Sequence, residues 1–331
     1  MQNRQMGPDG PFVSALGIGA MSFSDMYGPT TKEQSFAILD RAVEAGVTHI
    51  DTANIYGRGV SETVIGEWLA NRGGENPFFI ATKASITSDA DGNRTFDNSP
   101  EHLEAELDQS LMRLGLDCVD LFYIHRRDPR FEIEEVSETL IGLMKKGKIK
   151  SFGYSEIAPS SLRRAQAVHP VAAVQNEYSL STRAPDLGLV QNCAETRTAM
   201  VAFSPVGRGL LTDTPPSAER IAASVFLRDN PRFTGRAYQD NLKRMELLQS
   251  LARDMGISTA GLAIAWVLSR GDNVIAIPGT RSVEHLNEML QGTEKTLSAS
   301  DLEAIETALP VGWASGDRYG PAQWNGPEQY C

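Results

Sequence analysis

Four residues that could cooperate in proton transfer stand at the ends of three strand-like runs. Asp51 ends the first of these runs, and Tyr56 follows it within the stretch DTANIYG, while Lys83 and His125 end the next two. A phenol with a pKa of about 10 is a weak acid at neutral pH, and a nearby ammonium lowers that pKa. We therefore interpret Tyr56 as a general acid that Lys83 tunes and Asp51 orients. His125 would hydrogen-bond the reacting oxygen or help to pass a proton.

Each of these residues also has a simpler interpretation. A lone lysine after a strand is usually a solvated strand end, and a lone histidine is more often structural. Asp51 alone could cap a turn, and Tyr56 alone could be packing. Their coincidence favours the chemical interpretation, because converging strand ends would bring the side chains into one pocket.

Eight strand-like runs recur along the chain. Most are continuous apolar runs, which are typical of strands buried on both faces. They are LGIGAM (16–21), VTHID (47–51), FFIATK (78–83), VDLFYIH (119–125), IKSFGYS (149–155), VAAVQNE (171–177), MVAFSP (200–205) and NVIAIPG (273–279).

Helical patterns separate the strand-like runs. Thr31 and Gln34 have the spacing of a capping box, and Gly46 stands where that helix would end. Ser61 is expected to cap the next helix. Ser99, followed by proline, suits the start of a third.

This regular alternation predicts a (β/α)8 TIM barrel, an α/β fold in which the carboxyl ends of the strands surround one site. A doubly wound sheet is the alternative. Its cofactor signature, G-x-G-x-x-G after the first strand, is missing, since residues 17–22 read GIGAMS.

The whole chain, 1–331, is interpreted as a single domain with a core of about 12–310 and a tail of 311–331. A long insertion follows the seventh strand and contains the Pro-rich loop TDTPPSAE. Two helical segments, about 240–255 and 259–269, complete it. The tail is rich in Gly, Pro and aromatic residues and is expected to cover the C-terminal face without forming a helix or strand.

The composition is that of an ordinary globular protein, with 41 % hydrophobic and 22 % charged residues. A formal net charge of −11 argues against a nucleic-acid-binding surface. No apolar run approaches the ~20 residues that span a bilayer, and no signal peptide is evident. Cys118, Cys193 and Cys331 have no metal-ligand spacing. We expect a cytoplasmic protein without a disulfide framework, a metal site, or a nucleic-acid or membrane partner.

The motifs taken together resemble those of the aldo-keto reductase family. DTANIYG followed by SETVIG (61–66) resembles the family signature DTAxxYGxxEexlG. The other matching motifs, in family order, are ATK at Lys83, YIHR at His125, GYSE (153–156), QNEYSL (175–180), FSPVGRGLL (203–211) and IPGTR (277–281). The resemblance covers about residues 12–310. The segment NPRFTGRAYQDNL (230–242) is similar to bacterial and plant reductases that resemble auxin-induced proteins and pyridoxal reductases.

The resemblance implies roles for the residues that match these motifs. The implied catalytic tetrad is Asp51, Tyr56, Lys83 and His125. Ser155 and Gln175 would hold the carboxamide of a nicotinamide, and Phe203 would stack on its ring.

The resemblance also implies where the rest of an NADPH molecule would bind. Arg208, between two glycines, would approach the pyrophosphate. Thr280 and Arg281 would lie near the adenosine phosphate, at a helix start capped by Ser282, because helix N-termini favour anions. Glu288 would meet the adenine. The full expected cofactor-binding set is Gly19, Ala20, Met21, Asp51, Ser155, Glu156, Gln175, Phe203, Ser204, Pro205, Val206, Gly207, Arg208, Gly209, Ile277, Gly279, Thr280, Arg281, His285 and Glu288.

Three positions depart from the family pattern. Glu156 and Met289 each stand at a position where family members commonly have Asn. His285 stands where many members have an arginine that binds the 2′-phosphate. Arg281 could compensate, because a guanidinium pairs well with phosphate. We therefore expect NADPH to be preferred over NADH.

The expected function is NADPH-dependent reduction of small aldehydes and ketones to alcohols, with Tyr56 as the proton donor. The alternative is a nucleotide-binding regulatory module that resembles potassium-channel β subunits. Such modules need a partner surface or an N-terminal extension, and this chain begins almost directly at the first strand-like run. A barrel isomerase or metal hydrolase would leave the tetrad unexplained, and no His-x-His pair occurs.

Variable loops after the strands are expected to line the substrate pocket. The candidates are Met26, Tyr27, Trp313, Tyr319, Trp324 and the loop 212–235. Each could equally be simple packing. The aromatic tail could close over the site like a lid.

Overall fold

The computed structural model describes residues 1–73 and 75–329, within which there are twelve strands and eleven α-helices. The strands are β1 (Asn3–Gln5), β2 (Phe12–Ser14), β3 (Ile18–Gly19), β4 (His49–Asp51), β5 (Phe79–Ala84), β6 (Ile86–Ser88), β7 (Arg94–Phe96), β8 (Val119–Ile124), β9 (Ile149–Ser155), β10 (Ala173–Glu177), β11 (Ala199–Phe203) and β12 (Val274–Ile277). The helices are α1 (Lys32–Glu44), α2 (Val60–Asn71), α3 (Pro100–Leu114), α4 (Ile133–Lys145), α5 (Pro159–Val168), α6 (Leu189–Thr196), α7 (Ala218–Ala223), α8 (Gly235–Asp254), α9 (Thr259–Leu268), α10 (Val283–Gln291) and α11 (Ala299–Ala308).

Eight strands form one parallel sheet, ordered β3, β4, β5, β8, β9, β10, β11 and β12. Its two edges meet, because Leu16 bridges Ala276 and the N–H of Gly19 donates to the carbonyl oxygen of Pro278 at 2.9 Å. The predicted (β/α)8 barrel is confirmed, and the doubly wound alternative is wrong.

Local signals placed the helix starts well, with one exception. Thr31 caps α1 in a reciprocal box with Gln34, and Ser99 caps α3. Ser61 does not cap α2, which begins after Gly59. Ser61 is the second residue of the helix, and its hydroxyl donates to the carbonyl oxygen of Ala20 at 2.8 Å and lies 2.8 Å from the Thr52 hydroxyl, so tertiary contacts engage it instead.

The first barrel strand is shorter than the predicted run 16–21. Only Ile18 and Gly19 form β3, and Ala20 begins a short 3-10 turn, Ala20–Phe23. This turn lies at the carboxyl end of β3, on the face where the other strands end. The chain therefore leaves the sheet at the level of the expected pocket.

The N-terminal hairpin closes the opposite end of the barrel. Strands β1 and β2 pair antiparallel, and Met6 and Val13 are buried with inward-facing residues such as Tyr123 and Val201. A Cβ added at Gly7 would lie 2.7 Å from the backbone of Ala172, just before β10. The barrel interior is thus a packed core below the pocket rather than a channel.

Two further segments surround the pocket end. The hairpin β6–β7 follows β5 directly, and the insertion after β11 contains α7 and the turn Pro231–Phe233 before α8. Residues 311–329 form no helix or strand, as predicted. In the described part of the chain no single helix is long and apolar enough to cross a membrane; α8 and α9 pass that test only as a pair, bent by 86°.

Candidate active site

A buried ion pair links the ends of β4 and β5. Lys83 is fully buried and donates to Oδ1 of Asp51 and to the carbonyl oxygen of Thr52, the latter at 2.7 Å. Gln175, on β10, donates to Oδ2 of Asp51 at 2.7 Å. Burial raises the pKa of Asp51 and lowers the pKa of Lys83, while their mutual attraction opposes both shifts. The carboxylate therefore holds the ammonium in place beneath the cavity.

Tyr56 lies in the turn after β4, above this ion pair. Nζ of Lys83 is 5.3 Å from the centroid of the Tyr56 ring. The ring meets His125 edge-to-face, with centroids 5.8 Å apart. Burial raises the pKa of Tyr56 well above its usual value, with the Asp51 charge adding to the rise and Arg126 opposing it. The predicted lowering of the Tyr56 pKa by Lys83 is therefore wrong for this structure, because burial dominates and the charge that opposes it is that of Arg126.

His125 ends the β8 region and is 7 % exposed. Its Nδ1 is buried and has no partner among the described residues. Burial, followed by the charges of Arg126 and Lys83, lowers the pKa of His125 well below its ordinary value. The imidazole is therefore neutral at physiological pH.

All four side chains meet at one end of a cavity of about 980 Å³. Asp51, Tyr56 and His125 line it, and Lys83 lies immediately behind Asp51. Most of the expected cofactor-binding residues also line this cavity. These are Gly19, Met21, Asp51, Ser155, Gln175, Phe203, Ser204, Pro205, Val206, Arg208, Gly209, Ile277, Gly279, Thr280, Arg281, His285 and Glu288.

Three expected cofactor-binding residues lie outside the lining, namely Ala20, Glu156 and Gly207. Glu156 is the most informative of them. It is 1 % exposed, and its carboxylate accepts from the guanidinium of Arg318 and from the N–H of Glu177. Glu156 has a φ of 58° directly after β9, and Ser204 has a φ of 49° directly after β11. Such backbone is costly for residues with a side chain and often marks functional sites.

Arg208 lines the cavity, but its charge is already paired. Its guanidinium donates to Glu177 at 2.7 Å and to the carbonyl oxygen of Arg318. It also lies 4.8 Å from the ring centroid of Tyr319. The residue expected to approach the pyrophosphate is therefore held by β10 and by the C-terminal segment.

The opposite end of the cavity is formed by the start of α10. Ser282 caps this helix, as predicted, by accepting from the N–H of His285 at 3.4 Å. Arg281 donates to the carbonyl oxygen of Pro29 at 2.8 Å, and Arg220 on α7 lines the cavity beside it. Burial raises the pKa of Glu288. Positive charge and a helix N-terminus at one end suit a phosphate group.

The substrate-pocket candidates divide into two groups. Met26, Tyr27 and Tyr319 line the cavity, as do Thr212, Asp213, Thr214, Arg220 and Phe226 of the loop 212–235. Trp313 does not, because its indole packs in the core and donates to the carbonyl oxygen of Leu180 at 2.8 Å. Trp324 also lies outside the lining and packs edge-to-face against Tyr319.

Sequence reasoning missed two features. Arg126 lines the cavity next to His125, and the stretch YIHR already displayed it. The buried carboxylate of Glu177 is surrounded by Arg208, Arg232 and Arg318, and no local pattern could reveal contacts so distant in sequence. No group of three or more His, Cys, Asp or Glu side chains in residues 1–73 and 75–329 could hold a metal ion.

Comparison with known proteins agrees with this geometry. The model of the aldo/keto reductase family matches residues 15–310. Aldo-keto reductase yakc (NADP(+)) from Schizosaccharomyces pombe is 35 % identical over 96 % of this chain and 94 % of its own length. Aldo-keto reductase str7 from Strobilurus tenacellus is 36 % identical over 92 % of each chain.

Solved structures share the fold. A glycerol dehydrogenase from Gluconobacter oxydans superposes with a TM-score of 0.81 at 24 % identity and covers 96 % of this chain and 98 % of its own. An aldo-keto reductase from Bacillus halodurans superposes with a TM-score of 0.77 at 24 % identity and covers 98 % of this chain and 99 % of its own. On the evidence of the family match and of relatives that span almost the entire chain, this protein belongs to the aldo/keto reductase family.

Proposed function

We propose that this protein, as a single aldo-keto reductase domain, reduces aldehydes and ketones to alcohols with NADPH, and that Tyr56 donates the proton. The observation that carries the proposal is the convergence of Asp51, Lys83, Tyr56 and His125 at one end of a cavity. The other end of that cavity presents cations and a helix start. Relatives bearing the name aldo-keto reductase support the reaction class.

The cavity suits a nicotinamide dinucleotide phosphate. Ser155 and Gln175 offer polar groups beside the ion pair, and Phe203 offers an apolar planar face. A Cβ added at Gly19 would lie 2.6 Å from the carbonyl oxygen of Ile277, so this wall of the cavity depends on the absence of a side chain. Arg281 and the start of α10 suit the adenosine phosphate, and the name of the yakc relative includes NADP(+).

The chain's own residues then perform the proton chemistry. When bound, reduced nicotinamide supplies the hydride that the carbonyl carbon accepts. Tyr56 gives its hydroxyl proton to the carbonyl oxygen, which becomes the alcohol. Neutral His125 hydrogen-bonds the same oxygen, and Lys83, held by Asp51, stabilises the phenolate that Tyr56 becomes.

The test is turnover of a Tyr56→Phe variant, followed by the near-ultraviolet absorbance of NADPH. Suitable substrates are 4-nitrobenzaldehyde, methylglyoxal and pyridoxal. A positioned proton donor contributes roughly 10²–10⁴ in rate, so we expect kcat to fall by that factor while NADPH binding persists. Tyr154→Phe is the matched control, because the Tyr154 hydroxyl bonds Ser137 on α4 and lies outside the cavity lining. A Tyr56→Phe enzyme with near-normal kcat would refute the role, and NADPH binding without any turnover would favour a nucleotide-sensing module.

A further inference from the structure

Arg126 is a buried cation without an anionic partner among residues 1–73 and 75–329. It is 6 % exposed, lines the cavity and follows His125 in the chain. Its Nη1 donates to the carbonyl oxygen of His125 and, at 3.1 Å, to the hydroxyl of Ser155. Its Nε is buried without a partner, and Arg126 forms no ion pair within the described residues. The acceptors that the described residues offer to this guanidinium are therefore all neutral.

The other buried arginines at the cavity rim each have a carboxylate partner. Arg208 pairs with Glu177 at 2.7 Å, and Arg318 pairs with Glu156. A buried charge is costly unless it is paired, and these two follow the rule. Arg126 departs from it at a position where a ligand can enter.

A second cation that forms no ion pair within the described residues, the exposed Arg94, lines the same cavity as Arg126. Arg94 is on β7 of the inserted hairpin, and its guanidinium lies 5.3 Å from the centroid of the Phe96 ring. Burial is the main cause of the low pKa of His125, and the charges of Arg126, Lys83 and Arg94 add to it. The two guanidiniums therefore act on the same compartment, next to the expected proton donor.

In the part of the chain that the structure describes, no carboxylate that lines the cavity is free to neutralise them. The cavity-lining carboxylates among the described residues are Asp51, Asp213 and Glu288. Asp51 is committed to Lys83 and Gln175. Asp213 accepts from Thr259, and its charge raises the pKa of Glu288, so both lie at the α10 end.

From this arrangement we infer that Arg126 and Arg94 form a subsite for an oxyanion on the substrate, so that the preferred substrates are aldehydes or ketones bearing a carboxylate or phosphate. The inference rests on the carbonyl reduction proposed above and assigns its substrate class. A planar guanidinium presents paired N–H groups that match either anion. Arg281 and Arg220, at the other end of the cavity, remain available for the dinucleotide.

The test compares matched pairs of charged and neutral substrates. One pair is 4-carboxybenzaldehyde and methyl 4-formylbenzoate, and the second is glyceraldehyde 3-phosphate and glyceraldehyde; the two pairs distinguish carboxylate from phosphate. Hydrogen bonds to charged groups contribute roughly ten- to hundredfold in affinity. We expect kcat/KM to favour the charged member of at least one pair by that factor, mainly through KM.

Variants then assign the preference to the subsite. The readout is the ratio of kcat/KM for the charged and the neutral member, because this ratio cancels any loss common to both. Arg126→Gln should reduce the ratio to near one, Arg126→Lys should keep part of it, and Arg94→Gln should lower it less. Arg244→Gln, which removes an exposed charge from α8, is the control and should leave the ratio unchanged.

The outcomes separate this inference from the proposed function. Equal kcat/KM for both members of both pairs, or a preference that survives Arg126→Gln and Arg94→Gln, would overturn the subsite while leaving carbonyl reduction intact. Absence of turnover with every aldehyde, 4-nitrobenzaldehyde included, would instead overturn the proposed function. If Arg126→Gln does not fold, Arg126→Lys and Arg94→Gln still decide the matter.

Discussion

Arg318, in the segment after the last helix, forms a buried ion pair with Glu156 at the end of β9, although 162 residues separate them. Its Nη1 also lies 3.5 Å from Glu177, which accepts from Arg208. The ring of Tyr319 lies close to both guanidiniums, with its centroid 4.7 Å from Cζ of Arg318 and 4.8 Å from Cζ of Arg208. This cluster attaches the C-terminal segment to the rim of the cavity.

Breaking the Arg318–Glu156 pair should therefore affect both stability and substrate binding. Arg318→Met leaves a buried carboxylate without its cation, which costs about 3–5 kcal/mol. Urea unfolding measures that loss, and hydrogen exchange should accelerate in residues 311–329. We expect KM for the carbonyl substrate to rise more than kcat falls, because Tyr319 lines the cavity. Arg236→Met, at an exposed pair on α8, is the control and should change neither quantity.

The Asp51–Lys83 pair predicts strong coupling between two substitutions. Asp51→Asn or Lys83→Met alone removes one member of a fully buried pair and should lower the free energy of unfolding by about 3–5 kcal/mol. The double variant should lose less than the sum, since no charge is then left unpaired. A double-mutant cycle in urea measures the coupling, and strictly additive losses would contradict the buried ion pair.

Two buried histidines predict a loss of stability in acid. Burial lowers the pKa of His49 to about 3, and it lowers that of His125 well below 6.5. Below pH 6.5 the unfolded chain binds these protons and the native state does not, so stability is fully present above pH 6.5 and falls as the pH drops. Each histidine contributes a slope of about 1.4 kcal/mol per pH unit, which continues to about pH 3 for His49.

The His49→Leu variant isolates one of these two contributions. Urea midpoints between pH 7 and pH 4.5 should show a shallower slope than in the wild type. At pH 8 neither histidine is protonated in the folded or the unfolded state. The difference between the urea midpoints of the variant and the wild type at that pH therefore reports the packing change alone. An unchanged slope in acid would show that His49 does not titrate as a buried neutral residue.

Two glycines should respond oppositely to the same substitution. At Gly153 on β9, an added Cβ would lie 2.4 Å from the carbonyl oxygen of Ala173 and 2.8 Å from the Tyr123 ring. Gly153→Ala should therefore destabilise the barrel by about 1–3 kcal/mol. At Gly142 on α4 the added atom meets nothing within 4 Å, so Gly142→Ala should stabilise by about 0.5–1 kcal/mol. Thermal unfolding of both variants checks the opposite signs.

Arg281 is expected to set the preference for NADPH. Arg281→Ala should lower kcat/KM for NADPH roughly ten- to hundredfold, because a charge-assisted contact to the 2′-phosphate is lost. The same substitution should change kcat/KM for NADH little. Arg41→Ala removes a contact to Asn287 on the outer side of α10 and controls for disturbance of this helix. Equal losses with both coenzymes would show that Arg281 does not read the phosphate.

Residues governed by local rules or by strand order could be predicted from the sequence. Thr31 and Ser99 cap helices because capping depends on contacts within a few residues. Lys83 and His125 meet because parallel strands in a barrel end on one face. Their convergence therefore followed once the alternation of strands and helices had been recognised.

The partners of the charged groups could not be predicted in this way. Glu156 was expected at the cofactor and Arg208 at its pyrophosphate, yet Arg318 and Glu177 engage them. The sequence by itself determined the barrel, the convergence of Asp51, Lys83 and His125 at strand ends with Tyr56 in the turn after Asp51, and the family. Only the tertiary structure decided which charges are neutralised and that Arg126 has no ion pair within the described residues, because ion pairing depends on distances between segments that are remote in the chain.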